Sequence, residues 1–284
     1  MKKIALVLGG GGAKGSYQIG VLKALHETKI LKRVRVASGT SIGAIHTLLL
    51  MHDLSIEEMI NVWKEFTNEA IYGRNKFKET WNVSGFYNTK GILEKILPFT
   101  NEEAFRNTKI EGYVTLAKVP TKGLFAKLNM KNYEKEVVFL NESEHPLKAV
   151  LASAAIPLVF GEKEIEGTRY VDGGLVDNFP FTPALIANAN IIISIGLDPK
   201  LLPTKPLPGR LHIDFTPLEE LGPFPKVSLD FSPEKTQQYF DLGYENAKAL
   251  IAYLKREKFF WFGGRLKLRK GRLVTLKTLT AKTK

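Results

Sequence analysis

Ile4-Ala5-Leu6-Val7-Leu8-Gly9-Gly10-Gly11-Gly12-Ala13-Lys14-Gly15 stands near the start of the sequence, and how it reads decides the fold. A short apolar run bounded by glycine is the pattern of a parallel strand buried on both faces. The glycines bare the backbone, so that its N–H groups can approach an anion closely. Beyond them Tyr17, Val21, Leu22 and Leu25 recur at helical spacing through Glu27. The opening unit is strand, glycine loop, helix.

The same unit follows at once. Val34–Ala37 reads as a second strand and runs directly into Gly39-Thr40-Ser41-Ile42-Gly43, after which Ala44–Met51 is apolar and helix-permissive. Ser55-Ile56-Glu57-Glu58 is a capping box that opens a helix to about Thr67. Residues 70–105 read as irregular, a surface insertion or lid. Tyr113–Lys118, Leu124–Leu128 and Val137–Leu140 look like strands, and Pro146–Ala154 like a helix that stops before Pro157. A hairpin about Gly167 leads into Val171-Asp172-Gly173-Gly174, Ile191–Ile195 is a third fully apolar strand, and Pro233–Lys255 is a long amphipathic helix. Proline and glycine thicken between Pro199 and Pro225, which suggests a wrapping loop. This alternation predicts an α/β fold, a three-layer α/β/α sandwich with a mostly parallel central sheet. One domain is expected over 1–256, with 70–105 as its candidate lid or insertion, followed by a basic, aromatic tail over 257–284.

Composition narrows the chemistry. With 284 residues, 44% hydrophobic and 25% charged, the chain belongs with globular proteins able to bury a full core. There is no cysteine, which excludes disulfides, a thiol nucleophile and thiolate metal sites. The apolar run at Ile4–Leu8 is too short for a signal peptide, and no run approaches the roughly 18 apolar residues of a spanning helix. A cytoplasmic protein is expected, with any membrane contact peripheral, at the inner face. No metal or cofactor is expected. Of the net charge of +12, eleven Lys or Arg against Glu257 put +10 on residues 255–284 and leave +2 for the rest.

Gly39-Thr40-Ser41-Ile42-Gly43 matches the nucleophile elbow G-x-S-x-G, where glycines permit a strained strand-to-helix turn that lifts the serine hydroxyl clear. The glycine loop has competing readings. As G-x-G-x-x-G at Gly10, Gly12 and Gly15 it lacks the acidic residue at the end of a second strand, and no Gly-Lys-Ser/Thr closes it as a phosphate loop. An oxyanion hole fits better, because a serine nucleophile needs amide donors from a neighbouring strand end. Lys14 in that loop could meet a substrate phosphate or stay a surface residue. A serine also needs a proton acceptor. None of His26, His46, His52, His145 and His212 has a glycine or strand-end context, and His46 reads as a helix-face residue. Asp172 is a single carboxylate at the end of an apolar stretch, although an Asp-Gly turn is also ordinary punctuation.

Taken in order, Gly10-Gly11-Gly12-Ala13-Lys14-Gly15, Gly39-Thr40-Ser41-Ile42-Gly43 and Asp172-Gly173-Gly174 resemble the signature set of patatin-like phospholipases. Ala152-Ser153-Ala154-Ala155-Ile156-Pro157 ahead of Phe160, and Asn178 and Pro180 after the Asp-Gly-Gly turn, extend the resemblance, which covers about residues 3–197. It implies a Ser41–Asp172 dyad without a histidine, in which Ser41 attacks an ester carbonyl and Asp172 accepts its proton. The amides of Gly10, Gly11 and Gly12 would hold the oxyanion, and a lipid ester would be the substrate of a phospholipase A or lysophospholipase-like reaction. Alternatives are an acyltransferase on the same fold, or a non-catalytic membrane or nucleic-acid adaptor.

Phe259–Phe262 followed by basic residues suggests an interfacial anchor for anionic lipid, with Arg265–Arg269 and Arg272–Leu276 alternating about Lys270-Gly271 as a hairpin would. The competing expectation is that the aromatics pack on the domain. A lone charge run without a nucleic-acid motif speaks against nucleic acid as the partner.

Overall fold

Ile4–Leu8 forms strand β1 at the middle of the central sheet, each residue at most 3% exposed, which is the environment an unbroken apolar run requires. The computed structural model describes residues 2–72, 90–121, 129–157, 159–222, 226–261 and 265–280. The further strands are β2 (Val34–Gly39), β3 (Glu111–Lys118), β4 (Glu134–Phe139), β5 (Lys163–Ile165), β6 (Thr168–Asp172), β7 (Ile191–Ile195), β8 (Leu211–Asp214), β9 (Phe260–Trp261), β10 (Arg265–Leu266) and β11 (Arg272–Thr275). The sheet runs β11-β8-β7-β1-β2-β3-β6-β5, with β4 also on β3. From β11 to β3 every pairing is parallel, and β4, β6 and β5 add antiparallel ones.

Helices α1 (Ser16–Glu27), α2 (Ile42–Met51) and α3 (Ile56–Glu65) cover one face together with the long helix Pro233–Arg256. α3 starts at the capping box: Ser55 Oγ accepts from the Glu58 N–H while Glu58 accepts from the Ser55 N–H. Ala5, Val7, Val36 and Ile192 point to the other face, under the short helix Thr182–Ile186 and the loop residues Leu201 and Leu207. The three layers are present, the second helical layer much the thinner.

Register along β3 positions the chemistry. β2 pairs with its first half, Gly39 opposite Val114, and β6 pairs with its second half, Asp172 opposite Leu116. Since β4 overlaps both segments, β2 and β6 must share the opposite edge of β3. They approach head-on along that edge, and their C-terminal ends meet at Thr115. Ser41 follows one end and Asp172 is the other.

Four expectations change. The segment 199–225 is not all loop, because Leu211–Asp214 pairs with β7 as a strand of the sheet. Described parts of 70–105 are helical, Lys90–Ile96 and Glu102–Asn107, and Ile96 and Phe105 lie in the core. The predicted 265–276 hairpin does not form: β10 pairs with β9, and β11 crosses to extend the sheet in parallel with β8. Val274 and Leu276 are thereby buried in the core, so residues 272–276 belong to the same sheet and core and not to a separate tail. Of the tail aromatics, Phe259 is buried beneath the Arg269 guanidinium while Trp261 is 59% exposed. Leu124–Leu128 lies outside the described residues. No described helix is long and apolar enough to cross a membrane.

Candidate active site

Ser41 sits between β2 and α2 with φ 57 and ψ −123, a conformation that a non-glycine residue adopts only where its surroundings enforce it. The enforcement comes from Gly39 and Gly43. A Cβ on Gly39 would lie 2.1 Å from the Gly43 carbonyl oxygen, and one on Gly43 would lie 2.3 Å from that of Leu8. The turn packs backbone on backbone and holds Ser41 at the N-terminus of α2, where partial positive charge gathers. Thr40 Oγ1 donates to the Asp177 carbonyl, and Ile42 begins α2 while packing under Gly15.

Ser41 Oγ donates to Asp172 Oδ2 at 2.6 Å, and the Gly174 N–H donates to Asp172 Oδ1 at 2.7 Å. Ser41 and Asp172 are each 6% exposed. Burial pushes the Asp172 carboxyl up to about 6, while the hydrogen bonds from Ser41 and Gly174 oppose the shift by favouring the ionised form. The result is a stronger base than an ordinary carboxylate, still ionised at neutral pH. Gly173 lies where a Cβ would meet the Thr115 carbonyl, at the junction of β2 and β6.

A clamp not singled out from the sequence holds both Ser41 and Asp172. Ser153 Oγ accepts from the Ser41 N–H at 3.1 Å and donates to the Thr115 carbonyl at 2.7 Å, while the Asp172 N–H donates to the Ala155 carbonyl. The small residues 152–155 let the end of the helix Pro146–Ser153 approach this closely. The only sequence signal was the Ala152–Pro157 similarity, which carries no role by itself.

The glycine loop differs in one respect from the expectation. The Gly10 N–H donates to the Asn178 carbonyl at 3.1 Å, and Asn178 Nδ2 donates back to the Gly10 carbonyl at 3.4 Å. Gly10 is therefore committed to structure. A Cβ there would also lie 2.9 Å from Ser41 Cβ. The N–H groups of Gly11 and Gly12 have no protein acceptor among the described residues. Lys14 Nζ donates to the Gly222 carbonyl at 2.9 Å and meets no carboxylate within 4 Å among the described residues. Burial lowers its pKa, against the pull of Asp198 and Glu220.

His46 is fully buried and hydrogen-bonds neither Ser41 nor Asp172. Its Nδ1 bonds Gln18 Oε1 at 2.6 Å and its Nε2 accepts from Trp63 Nε1 at 2.8 Å, which fixes the proton on Nδ1. Burial pushes its pKa down to about 3. Gln18 in turn donates to the carbonyls of Gly9 and Ile195, so this neutral network braces the root of the glycine loop. Among the described residues no group of three or more His, Cys, Asp or Glu could hold a metal ion.

The sequence model of the patatin-like phospholipases matches residues 6–185, more than half of the chain, and the protein belongs to that family. The lysophospholipase NTE1 of Chaetomium globosum is 27% identical over 201 residues, 69% of this chain but 12% of that protein. An NTE family protein of Mycobacterium tuberculosis is 27% identical over 199 residues, 69% of this chain and 49% of that one. This chain therefore spans an eighth to a half of the length of these curated relatives. The crystal structure of VipD from Legionella pneumophila aligns over 89% of this chain and 67% of that one, at 14% identity and a TM-score of 0.44.

Proposed function

We propose that the protein hydrolyses carboxylic esters of lipids, as a phospholipase A or a lysophospholipase. The 2.6 Å contact between Ser41 Oγ and Asp172 Oδ2 supports the reading most directly. Asp172 takes the hydroxyl proton as Ser41 Oγ attacks the ester carbonyl carbon. Charge then gathers on the carbonyl oxygen, to which the N–H groups of Gly11 and Gly12 donate hydrogen bonds, helped by the positive end of α2. Collapse of the tetrahedral species expels the alcohol, which takes the proton back from Asp172. Water, deprotonated by the same carboxylate, then attacks the acyl carbon and releases the fatty acid, while Asp172 returns the proton to Ser41 Oγ. The fixed amides need not reorganise as charge develops, which is where the catalytic gain of such a cradle lies. A cytoplasmic or inner-membrane-face location is part of the same proposal.

The test is a panel of phospholipids, lysophospholipids and neutral glycerides offered to wild type and Ser41→Ala, with and without a competing alcohol. Fatty acid should appear from at least one lipid class with wild type alone. Transfer of the acyl group to the alcohol in preference to water would move the protein to the acyltransferases, and equal turnover by Ser41→Ala would end the proposal.

The pH dependence follows from Asp172. Since the carboxylate form is the active one and its pKa lies near 6, kcat/KM on a short ester should rise through pH 6 with the slope of one proton and then level off. His46 stays neutral throughout and should add no inflection. A flat profile between pH 5 and 8 would remove Asp172 as the base.

A further inference from the structure

A cavity of about 860 Å³ lies at the opposite end of the sheet from Ser41. Ile4 and Ile191, the first residues of β1 and β7, form its floor, and Trp261 of β9 and Leu266 of β10 line its wall. β1 runs five residues from this cavity to the glycine loop, so about 13 Å of strand separates the two sites.

Lys2, Lys3, Arg33, Arg35 and Arg265 ring it. Lys3 pairs with Glu111 at 2.6 Å, whereas no carboxylate lies within 4 Å of Lys2, Arg35 or Arg265 among the described residues. The lining itself is chiefly apolar: isoleucine and leucine side chains, the stems of the basic residues and the exposed indole of Trp261, with Lys267 Nζ 4.4 Å from the ring centre. Like charges drawn together round an apolar hollow repel one another, and an anion relieves that repulsion. Guanidinium groups match carboxylate and phosphate oxygens in pairs. The volume is that of a site for a small organic ligand.

We propose that this cavity binds an anionic single-chain amphiphile, its alkyl chain along the exposed indole of Trp261 and the aliphatic stems of the basic residues, and its carboxylate or phosphate head against Arg35 and Arg265. A free fatty acid and a single-chain lipid phosphate share that chemistry. The inference uses none of the dyad and holds whether or not the protein is a hydrolase.

Titration of Ser41→Ala protein with decanoate and with decyl phosphate, both below their micelle concentrations, tests it by Trp261 emission and by calorimetry. Saturable binding of at least one is expected. Decyl maltoside and inorganic phosphate, which lack the charge or the chain, should bind at least tenfold more weakly, and the relative affinity of the two anions identifies the preferred head. Arg35→Gln combined with Arg265→Gln should weaken binding at least tenfold, with an unchanged melting curve. The same pair of substitutions in active protein should leave short-ester hydrolysis unaltered, and Trp261→Phe should abolish the optical signal. The proposal is overturned by absence of saturable binding, by equal binding of decyl maltoside, by full affinity in the folded double variant, or by association with anionic vesicles alone. A lost ester activity in wild type with amphiphile binding intact would instead count against the hydrolase reading only.

Discussion

Asp172→Asn should lower kcat on a short p-nitrophenyl ester by roughly 10³- to 10⁴-fold while the protein stays folded, and Ser41→Ala should take it to background. The amide can still accept from the Gly174 N–H and stay near Ser41 Oγ, so the geometry of the turn survives; what is lost is the proton acceptor. The two residues act on one proton. Their effects should therefore not add: the double variant should be no slower than Ser41→Ala alone. Stability should move the other way. Because the folded-state pKa of about 6 exceeds the ordinary 3.8, the folded protein binds this proton more tightly than the unfolded chain does. Stability from this group thus falls as pH rises from about 4 to about 6 and then stays level. Asp172→Asn should accordingly melt no lower than wild type at pH 8, which calorimetry can check. Wild-type turnover in Asp172→Asn would show that another group takes the proton.

The second large effect is expected in the glycine loop. Gly12 has φ +58, and a Cβ there would lie 2.0 Å from the Ser228 carbonyl oxygen, which also accepts the Ala13 N–H at 2.9 Å. Gly12→Ala must push this backbone off Ser228 and turn the Gly11 and Gly12 amides away from the developing oxyanion. Loss of one such donor is worth about 3 to 4 kcal/mol, so kcat should fall about 10²- to 10³-fold with little change in KM. Gly167→Ala is the control. Its φ of +75 is equally unfavourable to alanine, but nothing lies within 4 Å of the added carbon. That variant should lose about 1 kcal/mol of stability and none of its rate. If Gly12→Ala kept full kcat, the cradle would have to lie elsewhere.

The difference between the two glycines also shows what a sequence can carry. The apolar runs Ile4–Leu8 and Ile191–Ile195, the elbow around Ser41, the capping box at Ser55 and the Asp172 turn all appear in the structure where the residues place them. Each is a local matter: period, glycine spacing or a cap decides it within a few residues. β8 was hidden because four residues inside a proline-rich stretch show no periodicity of their own, and only β7 and β11 on either side make them a strand. β11 was misread for a related reason. Its alternation with Lys270-Gly271 imitates a hairpin, whereas a parallel partner some sixty residues earlier leaves no turn for a reader to find.

The glycine loop, the elbow, the Asp172 turn and the strand-or-helix character of the strongly periodic segments followed from the sequence alone, because short-range sterics and hydrophobic spacing are properties of neighbours. Tertiary structure alone decided that β2 and β6 meet along one edge of β3, that Ser153 and Ala155 clamp Ser41 and Asp172, and that Gly10 bonds Asn178 while Gly11 and Gly12 keep bare amides among the described residues. Hydrogen bonds between groups more than a hundred residues apart depend on register, and register is set by the whole sheet.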